Sequence, residues 1–102
     1  MSKKTTQELL GARLEQLGRK MQALADKAVE TKEQFEELST ILGQMQKDNI
    51  EDGQDEIQKR IEERFNENQD AIGELQKLKV RFDEVEELLA ILEPTREKDG
   101  TN

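Results

Sequence analysis

The chain contains no cysteine, no histidine, no tryptophan and no tyrosine, and its one proline is Pro94. Without cysteine there is neither a disulfide staple nor a thiolate metal site, and nothing bears on redox compartment. Without histidine the commonest general base and a usual zinc ligand are missing, and the Glu-x-x-His pairs of di-iron carboxylate bundles cannot form. No run of about 18 apolar residues could span a bilayer, and the opening MSKKTTQELLG lacks the apolar core of a signal peptide. These absences predict a cytoplasmic protein that is not an enzyme and uses no catalytic residues, cofactor or metal.

What the chain does contain is charge and helical periodicity. Charged residues make up 39% of it and aromatics 3%, a Glu/Lys/Leu/Gln-rich mixture typical of long helices or a coiled coil, set apart from a disordered chain by its periodicity. Thr5-x-x-Glu8 is a capping-box pattern that opens a helix. An apolar series follows at Leu10, Leu14, Leu17, Met21, Leu24, Ala28, Thr31, Phe35, Leu38, Leu42 and Met45, with steps that alternate four and three. That spacing is the a/d seam of a coiled coil, and Thr31 is its single polar member.

A second series runs Ile57, Ile61, Phe65, Asn68, Ile72, Leu75, Leu78, Phe82, Val85, Leu89, Leu92. It is clean from Leu75 onward and drifts between Ile57 and Ile72 towards an eleven-residue rhythm, which predicts a locally straight helix. Continuing the first heptad across the midpoint would put Asp52, Glu56, Lys59, Glu63 and Asn66 in the seam, all polar. The apolar face thus jumps by roughly 120°, more than a supercoil absorbs. Asp52-Gly53 is a turn signal at that point, with Asp52 or Asp55 available to cap the next helix. The expected fold is all-α: an antiparallel two-helix coiled-coil hairpin, helix 5–49, turn 50–53 and helix 54–93. Residues 1–4 are expected to be a flexible N-terminus and 94–102, beyond Pro94, a disordered tail.

Folding about Gly53 pairs residues whose numbers sum to about 106: Leu14 with Leu92, Leu17 with Leu89, Met21 with Val85, Thr31 with Leu75, Phe35 with Ala71. Charge favours this antiparallel arrangement. Residues 1–27 carry six basic and three acidic side chains, whereas 83–93 carry five acidic and none basic. Gly11, Gly18 and Ala25 form a stripe of small residues beside the seam, expected to let the helices approach closely. Asn68 reads equally as a buried register-setting residue or as a half-exposed one in a loose layer. Leu9, Leu10, Leu88, Ile91 and Leu92 form an apolar collar at the end that carries the termini. A two-helix core is thin, so the collar is expected to bind protein, most simply a second copy in a four-helix arrangement, a homodimer or higher homo-oligomer.

The acids around the turn, Asp48, Glu51, Asp52, Asp55 and Glu56, form a candidate acidic tip. Fitting an EF-hand loop to Gly53 puts Ile50 and Lys59 where oxygen ligands belong, which argues against calcium. The net charge of −8 lies wholly in residues 51–102, where 8 basic face 16 acidic side chains; residues 1–50 balance at 8 and 8. That balance disfavours direct nucleic-acid binding, and an acidic second helix disfavours a membrane surface. No small-molecule substrate is indicated. The expected function is a non-enzymatic protein-interaction module, a scaffold, adaptor or assembly factor that acts by helical docking. The alternative is a small acidic regulator that occupies a basic groove or channel of a nucleic-acid enzyme.

Overall fold

The capping box of the first helix forms as its residues dictate. In the computed structural model, which describes residues 5–92, the Glu8 amide donates to Thr5 Oγ1 at 3.1 Å and the Thr5 amide to Glu8 Oε1 at 2.8 Å. Two amides that an isolated helix start would leave unpaired are thereby satisfied. Helix α1 then runs Thr6–Lys47 and helix α2 Gln54–Leu92, packed against each other with no strand among the described residues. The expectations for residues 1–4 and 94–102 lie outside the described residues.

The turn is six residues long, 48–53, and is built differently from the expectation. Asn49 takes φ 60° and Gly53 φ 88°. The Ile50 amide donates to the Met45 carbonyl at 2.8 Å and the Asn49 amide to the Gln46 carbonyl at 3.3 Å. This is a Schellman motif with asparagine in its left-handed position, a conformation that asparagine tolerates better than most side chains. The N-cap of α2 falls on Gly53, whose carbonyl accepts the first helical bond from the Ile57 amide at 3.1 Å. Neither Asp52 nor Asp55 occupies that position.

The described residues divide into two compact units, 5–22 with 76–92 and 23–75, and each reports its own register. In the unit holding the turn, the Asn68 amide group reaches Thr31 Oγ1 at 3.2 Å, and Phe35 meets Phe65 edge-on with ring centroids 5.6 Å apart. In the unit holding the termini, Gln7 Nε2 donates to the Leu92 carbonyl at 2.7 Å, and the Phe82 ring lies over Gly18. In both units the partners' numbers sum to 99 or 100. The expected sum of 106 is therefore one heptad too large. A seven-residue repeat looks the same after a seven-residue slip, so seam spacing alone could not separate the two alignments.

The seam of α2 is corrected by the same observation. Ile57, Ile61, Arg64, Asn68, Ala71, Leu75, Leu78, Phe82, Val85 and Leu89 are half-buried or buried in an unbroken alternation of four and three. Arg64 and Ala71 hold the places assigned to Phe65 and Ile72. Phe65 is 46% exposed, while Ala71 is among the few fully buried residues. The expected drift arose because the two large apolar neighbours mask the regular positions. The stem of Arg64 lies along the seam while its guanidinium pairs with Glu67 at 3.5 Å, the usual way a long cationic side chain covers apolar surface.

Of the two glycines in the small stripe, Gly18 faces the opposite helix. A Cβ there would sit 3.9 Å from Phe82, and one at Gly11 would meet nothing within 4 Å. Close approach of the helices thus does not account for Gly11.

Candidate functional site

Two features stand apart from a regular seam. One is a polar layer inside the unit of residues 23–75. The other is apolar surface on the unit that carries the termini.

Thr31 and Asn68 are 3% and 5% exposed, the only polar residues so deeply buried among those described. Thr31 Oγ1 donates back to the carbonyls of Lys27 at 2.8 Å and Ala28 at 3.2 Å within its own helix. With its proton used there, its oxygen is left as an acceptor pointing across the seam. Asn68 Nδ2 supplies both of its protons to α1, one to that oxygen and one to the Ala28 carbonyl at 2.6 Å. Its Oδ1 accepts from Gln69 Nε2 at 3.5 Å. No buried side-chain nitrogen or oxygen among the described residues lacks a partner. Sequence reasoning left Asn68 open between two roles; the structure assigns the buried one. The missed signal was simple: Thr31 and Asn68 are the only uncharged polar members of their seams, and matching them gives a sum of 99.

The apolar surface lies where the first turns of α1 meet the last turns of α2, fixed by the Gln7–Leu92 bond. Leu9 is 56% exposed, Leu88 44%, Ile91 68% and Leu92 41%. Leu10 is half-buried, at the seam position that the register sets opposite Leu89. Relative to the seams, Leu9 and Ile91 are c positions and Leu88 a g position. In an antiparallel pair the c and g positions of both helices lie on the same side of the seam, because the e and g flanks each pair with their like. Leu9, Leu88 and Ile91 therefore form one patch floored by Leu10 and Leu92.

No protein family, curated protein or solved structure matches this chain.

The acidic tip is less organised. Asp48, Glu51, Asp52, Asp55 and Glu56 are all exposed, and Gln44 Nε2 donates to Asp48 Oδ2 at 3.0 Å. Asp55 and Glu56 lie in the first turn of α2, where their charge suits the helix dipole. Among the described residues no three histidine, cysteine or acidic side chains are grouped so as to hold a metal ion. Leu9, Leu88, Ile91 and Leu92 are thus exposed on the unit of the termini with Leu10 half-buried, and the acids around the turn are exposed.

Proposed function

We propose that this protein is a non-enzymatic helical docking module, a scaffold, adaptor or assembly factor, that binds protein through Leu9, Leu10, Leu88, Ile91 and Leu92. The observation that carries the reading is the exposure of Leu9, Leu88, Ile91 and Leu92 in one patch while the adjacent seam leucines are half-buried or buried. Large apolar side chains exposed singly are ordinary on a protein surface; several on one side of one unit are characteristic of an interface. Within that unit the exposed side chains stand on two helices that pack against each other, so a partner meets helical surface.

Capture experiments with the intact chain test this. A docking module retains its partner at high salt and loses it on Leu88→Asp or Ile91→Asp, with helicity by circular dichroism unchanged because both positions are exposed. The acidic-regulator alternative predicts the reverse pattern. Its binding falls steeply with salt and is lost when Asp48, Glu51, Asp52, Asp55 and Glu56 are neutralised, while the leucine substitutions are silent.

A further inference from the structure

Beside the apolar patch, α1 carries a shallow hollow of about 350 Å³ lined by Leu9, Ala12, Arg13, Glu15, Gln16 and Arg19. Leu9 and Ala12 are its apolar lining, and two arginines stand over it: Arg13 bonds Gln16 Oε1 at 2.8 Å, and Arg19 leans on Glu15 at 3.6 Å. On α2, Leu88 and Ile91 project from the same side of the hairpin, and Glu84 and Glu87 flank them one turn back, both exposed. One helix thus presents a hollow edged by two arginines and one glutamate, a net positive edge. The other presents an apolar knob with anionic edges, at the same level of the same unit.

We infer that two copies of the chain pair through this side, each seating Leu88 and Ile91 of α2 in the hollow on its partner's α1. The inference rests on the docking reading above and names the occupant. A two-fold axis running along the helices lays α1 of one copy over α2 of the other and keeps that pair antiparallel. Both knob-and-hollow contacts then form at once, and Arg13 and Arg19 come beside the partner's Glu84 and Glu87. An isologous interface requires such self-complementarity, and a surface carrying both halves of one contact meets the requirement. The net charge of −8 on each copy opposes association at long range. At physiological ionic strength that repulsion is screened beyond about 8 Å, and the local pattern prevails.

The test is the solution mass at physiological salt of the full chain and two charge-reversed forms, Arg13→Glu/Arg19→Glu and Glu84→Arg/Glu87→Arg. The unaltered chain is expected at twice its mass of 11.8 kDa. Each reversed form alone places like charges in both contacts and should weaken the dimer at least tenfold. An equimolar mixture restores opposite charges in both contacts and should return the dimer. All four positions are exposed, and unchanged circular dichroism would confirm that folding is intact. A chain monomeric up to about 1 mM, reversed forms that dimerise like the unaltered chain, or a mixture that stays monomeric would each overturn the inference. If the unaltered chain is monomeric and capture still fails on Ile91→Asp, self-pairing is lost and the docking reading stands.

Discussion

Replacing Asn68 by alanine removes two donated hydrogen bonds at once and leaves the Ala28 carbonyl and Thr31 Oγ1 facing a small void. Losing buried cross-helix hydrogen bonds of this kind costs about 1–3 kcal/mol, so urea unfolding followed by circular dichroism should shift to lower midpoint by that amount. Thr31→Val should cost less, because Asn68 keeps its bond to Ala28 and the γ-methyl still packs. The double change Asn68→Leu/Thr31→Val behaves differently. It leaves Arg64 as the one polar seam member and recovers stability, but removes the polar pair that distinguishes one heptad alignment from the next. In the slipped alignment Asn68 would face Leu38 and Thr31 would face Leu75, each polar group opposite a leucine. In the double variant that penalty disappears, and engineered cysteine pairs should report two registers where the unaltered chain gives one. An unchanged single register in the double variant would show that the turn alone sets the alignment.

The helices contain more glycine than their geometry needs. Gly11, Gly43 and Gly73 lie inside α1 and α2, and a Cβ at any of them meets nothing within 4 Å. Each change to alanine should stabilise the fold by about 0.5–1 kcal/mol, read as a raised thermal midpoint. Gly53 behaves oppositely, because its φ of 88° is a conformation that alanine adopts only with strain; Gly53→Ala should destabilise. At the other end of α1, Thr5→Ala removes the cap that holds the Glu8 amide and should cost about 0.5–2 kcal/mol. At this scale much was legible in the sequence. The first seam, the capping box and the existence of a turn all follow from local spacing and local chemistry. The Schellman motif was not recognised, since its signal is a single asparagine at position 49 followed by Ile50. The second seam was misread where Phe65 and Ile72 sit beside the true layer positions Arg64 and Ala71, because apolar character is an incomplete guide to burial on a helix with few large residues.

For the molecule as a whole, both the two-helix packing and its alignment rest on contacts between distant residues. The antiparallel hairpin followed from the jump of the apolar face and from charge distribution, and the structure has it. The alignment did not follow, because a periodic seam repeats its pattern after every seven residues and only its irregular members break the tie. The exposed patch was legible as surplus leucine and isoleucine off the seam, while the hollow beside it depends on side-chain placement that spacing does not reveal. The central claim is the register of this hairpin, and intrachain disulfide formation tests it most directly, since a bridge needs Cα atoms within about 7 Å. Two variants suffice: Met21→Cys with Leu78→Cys, and Met21→Cys with Val85→Cys. The first pair should close rapidly within a monomer and raise the thermal midpoint, while the second stays reduced. Closure of the second pair in preference to the first, or bridges that form only between chains, would contradict the account.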